Sequence, residues 1–237
     1  MAKYTRRRRG SKRQSRRGGK RRTSRRRGSK RRASMTKSVG SIMSDRYLTK
    51  LNYSELFALT FSGVGVPGVY QFRVNSIFDP NLTGTGHQPL GHDELSYFYQ
   101  RYRVKGMAYR ISFANTEAKN AEIMISVRPN ASYSTVIETV RESSYTVYKT
   151  MLGEDGTSRA YRSCKGYASV AKLRGVKNSV VSNDDEYQAL IGQNPVQVPV
   201  LTIYVNNQNT GQSLVVNVRV DLVYYVELFD RVLINQS

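Results

Sequence analysis

Apolar side chains hold every second position of the last long segment of the chain. Between Leu214 and Phe229, the residues Leu214, Val216, Val218, Val220, Leu222, Tyr224, Val226 and Leu228 take the even positions, and Asn217, Arg219, Asp221 and Glu227 fall among the odd ones. A strand sends successive side chains to opposite faces, whereas a helix would scatter this set around its axis. The spacing therefore predicts a long half-buried strand. The same alternation runs through Met107, Tyr109, Ile111 and Phe113 against Arg110 and Ser112, and through Ile123, Ile125 and Val127 against Glu122, Ser126 and Arg128. Further strands are predicted near Leu51–Phe61, Val69–Asn75, Tyr145–Thr150, Tyr161–Lys172 and Val196–Asn206, which makes eight. The last of these is apolar at nearly every position and is expected to be buried on both faces, with Pro199 at an edge or bulge.

Helical signals are few. Asp93 followed by Leu95, Phe98, Tyr99 and Tyr102 has i, i+3, i+4, i+7 spacing, which predicts a short helix capped by Asp93. A second helix is expected from Thr135, with Glu138 completing a capping box. Asp79–His92 and Gly175–Asn194 read as long loops, of the kind that make contacts or present a surface. Eight strands, one or two small helical insertions and no parallel βαβ rhythm predict an all-β fold, an eight-stranded antiparallel jelly-roll sandwich. An immunoglobulin-type sandwich is disfavoured by the absence of tryptophan and of a cysteine pair.

Charge divides the 237 residues into two parts. Residues 1–37 hold 14 Arg and 5 Lys and no acid, the first carboxylate being Asp45; the remainder keeps 19 basic and 17 acidic side chains of the totals of 38 and 17. The expected organisation is a disordered basic N-terminal arm, 1–45, and a nearly neutral shell-forming domain, 46–237. The arm repeats the run RRRGSKR at Arg7–Arg13 and Arg25–Arg31. It has almost nothing apolar to bury, so it is not expected to fold alone.

Nineteen unopposed cations call for a polyanion partner, and the excess of arginine suits bidentate contact with phosphate. The residues expected to hold nucleic acid are Arg6, Arg7, Arg8, Arg9, Lys12, Arg13, Arg16, Arg17, Lys20, Arg21, Arg22, Arg25, Arg26, Arg27, Lys30, Arg31 and Arg32. Phosphate contacts position a protein without reading bases, so binding is expected to be sequence-neutral. A nuclear-import signal is expected as an added role of the same run. No stretch of 18 apolar residues predicts a membrane span.

Candidate chemistry in the body is sparse. His87 and His92 with Asp93 and Glu94 are the one cluster that resembles metal or acid/base chemistry, and they lack a third ligand at metal spacing. Gly84-Thr-Gly-His lacks the lysine of a phosphate loop. Cys164 is the lone cysteine, which excludes an intrachain disulfide and favours a small buried thiol. No enzyme activity, cofactor or metal is expected. The 17 tyrosines read mainly as sheet packing and interface residues.

Several stretches resemble the capsid proteins of circovirus-like viruses, the small circular Rep-encoding single-stranded DNA viruses. They are Phe72-Arg-Val-Asn-Ser-Ile-Phe-Asp-Pro-Asn, Gly84-Thr-Gly-His-Gln-Pro-Leu-Gly, the predicted helix Asp93–Tyr102, Tyr167-Ala-Ser-Val-Ala-Lys and Val223-Tyr-Tyr-Val-Glu-Leu-Phe-Asp-Arg. The resemblance implies a structural protein of the virion that self-assembles, sixty copies to an icosahedral shell. Its arm would face the lumen, packaging a viral single-stranded DNA genome, and host import receptors would carry it to the host nucleus. Sixty such arms carry roughly a thousand positive charges, a scale that fits a small single-stranded genome with help from other cations. The alternatives are the jelly-roll coat protein of a small RNA virus and a cellular basic nucleic-acid-binding protein.

Overall fold

The computed structural model describes residues 44–63, 65–207 and 211–232; the basic arm lies outside these described residues. Nine strands follow one another as β1 (Arg46–Phe61), β2 (Gly68–Arg73), β3 (Tyr99–Asn115), β4 (Ala121–Arg128), β5 (Thr146–Leu152), β6 (Tyr161–Ser169), β7 (Gln188–Leu190), β8 (Val200–Asn207) and β9 (Leu214–Arg231). The helices are α1 (His92–Ser96), α2 (Ile137–Glu142), α3 (Val170–Arg174) and α4 (Asn178–Asn183).

One sheet has the order β1-β9-β3-β6, with the short β7 also on β3, and the other has the order β2-β8-β4-β5. Every pairing is antiparallel. With β7 set aside, the first strand pairs with the last, the second with the one before it, the third with the sixth and the fourth with the fifth. That is a long hairpin rolled up until its strands fall alternately into two sheets, which is a jelly roll. All eight predicted strands are present.

The core lies between the sheets. All eight even-numbered apolar residues of β9 are buried there, with Met107, Ile111 and Phe113 of β3, Ile123 and Ile125 of β4, and Leu201, Ile203 and Val205 of β8. As expected, β8 is buried at every position. On its outer side Tyr204 meets Met124 of β4 and the Ile137 and Val140 side chains of α2. Arg141 of α2 closes this cover by donating to both carboxylate oxygens of Glu122, at 2.7 and 2.6 Å, and Asn206 Nδ2 donates at 3.2 Å. The Arg141 hydrogen bonds hold the Glu122 carboxyl below the usual range against the opposing effect of burial.

Several local expectations are corrected. The helix at Asp93 ends at Ser96, because Tyr99 and Tyr102 belong to β3, paired with Arg231 and Leu228 of β9. Both are buried, so the helical spacing there was produced by core-facing residues of a strand. Asp93 is not the cap: that position is Gly91, with φ 89° in the left-handed region. The box at Thr135 and Glu138 does not form either, since α2 starts from extended Val136 without a side-chain cap and Glu138 pairs with Arg141 at 3.5 Å. The strand expected over Tyr161–Lys172 stops at Ser169, whose hydroxyl accepts from Lys172 N–H and opens α3. The stretch expected over Val196–Asn206 becomes a strand only after Pro199. The Gly175–Asn194 loop holds α4, a 3-10 turn at Asp185–Tyr187 and β7.

The Asp79–His92 segment seals the free edge of β1. Leu90 N–H donates to the Asn52 carbonyl at 3.2 Å, and His87 stacks on Tyr53 with ring centroids 4.4 Å apart. The segment is locked beneath by Glu55, which accepts from the Tyr70 hydroxyl at 2.9 Å and the Asn81 amide at 3.1 Å. Gly86 is required here, because a Cβ at that position would lie 2.7 Å from both Asn81 Cβ and the Tyr53 hydroxyl. The His87 ring nitrogens face two carbonyl oxygens, Gln88 at 2.8 Å and Ser54 at 3.0 Å. Only the imidazolium can donate to both, so these backbone bonds raise the His87 pKa above its ordinary value.

Two consequences are measurable. Replacing Arg141 with Met leaves Glu122 with its charge and without its strongest partner. Urea unfolding should show a loss of about 1–2 kcal/mol, the low end of a charged hydrogen bond because Arg141 is 37% exposed. Because the folded pKa of Glu122 is depressed, this contribution is full above the unfolded value and fades as pH falls through the folded one; a variant as stable as the parent at pH 7 contradicts the assignment. For His87 the sign is opposite. Its raised pKa gives stability that is full below the ordinary histidine value of about 6.5 and lost as pH rises through the folded value. An NMR titration midpoint below the ordinary value, or a His87→Gln variant with unchanged pH dependence of unfolding, rules this out.

Candidate nucleic-acid interface

All seventeen arm residues expected to hold phosphate precede Ser44 and lie outside the described residues. What the described body offers a polyanion is therefore a matter of its own surface. The two sheets differ there. The outer side of β4 and β8 is covered by α2, whereas the outer side of β1, β9, β3 and β6 is open.

The strand registers arrange this open face in rows. Lys50, Tyr225, Gly106 and Ser169 form the first, followed by Asn52, Val223, Ala108 and Tyr167. Next come Ser54, Asp221, Arg110 and Lys165, then Leu56, Arg219, Ser112 and Ser163, and last Ala58, Asn217, Ala114 and Tyr161. Successive rows are about 7 Å apart and neighbouring strands about 5 Å.

Cations on this face fall into two groups. At one end Glu227 is buried beneath three of them: Lys105 Nζ at 3.0 Å, Arg46 Nη1 at 3.3 Å and Arg103 Nη1 at 3.7 Å. Burial pushes the Glu227 carboxyl up, but the three cations together outweigh it and hold the group below the usual carboxylate range. Arg103 is opposite Glu227, and a bulge between Val104 and Gly106 inserts Lys105 as an extra residue beside Val226 and Tyr225, from where its Nζ reaches Glu227. In the middle of the face the balance is different. Arg110 and Lys165 stand directly opposite each other across β3 and β6, both exposed. Neither forms an ion pair among the described residues. Asp221, beside Arg110 in register, is taken up by Arg219 at 3.2 Å and by the Ser54 hydroxyl at 2.7 Å.

Aromatic rings flank these cations. The outward residues of β6 are Tyr161, Ser163, Lys165, Tyr167 and Ser169, with the two rings 58% and 55% exposed. Tyr167 meets Tyr225 edge-on at 5.6 Å, and Lys50 Nζ sits 5.0 Å from the centre of the Tyr225 ring. The Tyr167 ring lies over Gly106, where a Cβ would come within 2.3 Å of its hydroxyl. At the far end a concavity of about 460 Å³ is lined by Arg110, Arg219, Asp221, Ser112, Ala114 and Tyr161 among others. The sequence did not single out Tyr161 and Tyr167 among the 17 tyrosines; the outward alternation along β6 was the available signal.

The remaining candidates are taken up by structure. His92 is buried, facing the Ile191 carbonyl at 2.9 Å and Asp93 Oδ1 at 3.0 Å. His87 serves the β1 edge. Among the described residues no group of three His, Cys, Asp or Glu side chains is placed to hold a metal ion. Cys164 packs against the core, and burial pushes its thiol up to about 11.

No family model matches the chain, and no curated protein matches it. Solved structures do. Desmodium yellow mottle tymovirus is 14% identical, with 80% of this chain and 93% of that chain covered and a TM-score of 0.37. The semi-empty virus-like particle of the giant freshwater prawn Macrobrachium rosenbergii nodavirus is 14% identical, covering 83% and 100%, with a TM-score of 0.45. Mud crab tombus-like virus is 10% identical, covering 83% and 95%, also with a TM-score of 0.45. The jelly roll itself rests on the strand pairing described above.

Proposed function

We propose that this chain is the capsid protein of a small virus, a structural and non-enzymatic protein whose copies assemble into a closed shell around single-stranded nucleic acid. The observation that carries the reading is the union, in one polypeptide, of a nineteen-cation arm with a jelly-roll body that is nearly neutral. The arm supplies sequence-neutral phosphate contact, and the body supplies a self-packing module. The solved structures named above are virus structures, in keeping with this reading. The proposed partners are further copies of the chain, sixty in the simplest icosahedral shell, the viral genome, and import receptors that would read the arm's basic run. The proposed location is the virion, with the host nucleus as a stage of infection.

The genome is proposed at the level of a single strand. The circovirus-like resemblance implies DNA. The coat protein of a small RNA virus needs the same arm and the same body and stands beside it, and the three neighbours named above are not circovirus-like viruses.

Negative-stain electron microscopy of the purified protein, with absorbance at 260 and 280 nm on the same fraction, tests the reading. Uniform closed particles with a nucleic-acid-dominated spectrum are expected. Small oligomers that bind added nucleic acid in a salt-dependent way would instead mark a cellular binding protein. Sensitivity of the protected polymer to deoxyribonuclease or to ribonuclease, after the particles are opened, assigns the genome. Deleting residues 1–37 should abolish packaging and leave the circular dichroism of the β body unchanged; encapsidated nucleic acid in that truncation places the packaging charge elsewhere.

A further inference from the structure

We propose that the open face of the β1-β9-β3-β6 sheet is a second nucleic-acid site, which takes unpaired nucleotides with phosphates at Arg110 and Lys165 and bases against Tyr161 and Tyr167. The inference rests on the reading of a polynucleotide as the partner, and it assigns to the body a role separate from that of the arm.

The first support is electrostatic. Like charges directly opposite each other on a sheet destabilise it, and Arg110 and Lys165 are such a pair without an ion pair of their own among the described residues. Elsewhere on the same face the chain supplies a carboxylate where cations gather, as Glu227 does for Lys105, Arg46 and Arg103. Asp221 stands opposite Arg110 but is bonded to Arg219 and to Ser54, so the central pair has no ion pair among the described residues, which suits an anionic ligand.

The second support is shape. Between Gly106 and Ala114, β3 turns Gly106, Ala108, Arg110, Ser112 and Ala114 outward, so apart from Arg110 its side chains there make the floor of a trough. The walls stand on β6 and β9, two strand spacings or about 10 Å apart, and the Tyr167 ring, lying over Gly106 against Tyr225, closes one end. The 460 Å³ concavity lies at the Tyr161 end of this trough.

The third support is the order of residues along one wall. Tyr161, Ser163, Lys165 and Tyr167 place a ring, a hydroxyl, a cation and a ring in succession on a rigid strand. Exposed rings alternating with cations are how proteins hold single strands without reading sequence, since every base has a face to stack. A duplex keeps its base faces stacked on each other, so this wall favours unpaired nucleotides of either sugar type.

The test uses the full chain with short oligo-dT and oligo-U probes carrying 5-iodopyrimidines, and a duplex of equal length, at about 0.5 M salt where arm contacts are weakened. Photocrosslinks are expected on Tyr161 or Tyr167. The Tyr161→Leu/Tyr167→Leu double variant should lose about tenfold in single-strand affinity, with duplex binding and the salt slope unchanged. Lys165→Gln should reduce the slope of log affinity against log salt by about one. Because it relieves a like-charge contact, it should also melt no lower than the parent, so a loss of binding in it is not a loss of fold. Crosslinks confined to residues 1–45, with both variants binding as the parent does, overturn the second site and leave the arm's role standing. A parent chain that binds neither probe even at low salt removes the packaging reading itself, and this inference with it.

Discussion

Register is the constraint on which the rest of this molecule depends. β1, β9 and β3 run side by side for 16, 18 and 17 residues. Side chains alternate strictly along a strand, so slipping β9 by one residue would turn eight apolar side chains to water and bring Arg219 and Asp221 into the core. Burial of those eight therefore selects one register. Once it is chosen, the outward residues are aligned as well, because the same backbone carries both sets. The rows of the open face are a consequence of how the core packs, and any chemistry on that face inherits the rigidity of the sandwich.

Two carboxylates show how the fold accommodates charge that register places awkwardly. Glu227 and Glu122 occupy outward positions yet are buried. Each is met by cations carried on a different element: Arg141 of α2 for Glu122, and Arg46 and the bulged end of β3 for Glu227. The bulge at Lys105 and the placement of α2 have a common logic, since both move a cation to where alternation alone would not put it. Between these two well-matched regions lies the central pair Arg110 and Lys165, which forms no ion pair among the described residues because the Asp221 carboxylate opposite Arg110 is bonded to Arg219 and Ser54.

Much of the architecture was legible because alternation is strong wherever one face is apolar. β9 and the middle of β3 announced themselves through Val, Ile, Leu and Tyr at every second place. β6 shows why the candidate interface was harder to read. Its inward residues are Arg162, Cys164, Gly166 and Ala168, of which only Cys164 and Ala168 bury apolar surface in the core, so the pattern that would have flagged Tyr161, Lys165 and Tyr167 as a single outward set is faint. The opposition of Arg110 and Lys165 depends on a pairing between strands fifty residues apart, which no local pattern encodes. The helix expected through Tyr102 failed for a related reason: Tyr99 and Tyr102 are spaced as on a helix, but pairing with β9 satisfies their backbone and burial at once. Short elements such as β7 and α4 have too few residues to leave a period.

Net charge conceals what arrangement reveals. Residues 38–237 carry 19 basic and 17 acidic side chains, a nearly balanced set that limits self-repulsion in the folded body. Balance over the whole domain does not require balance at each place. Because Asp221, Glu122 and Glu227 are committed to specific cations, the body keeps its overall neutrality while leaving a small cationic surplus on its one uncovered sheet. The proposed second site depends on this local surplus and not on the charge of the body as a whole.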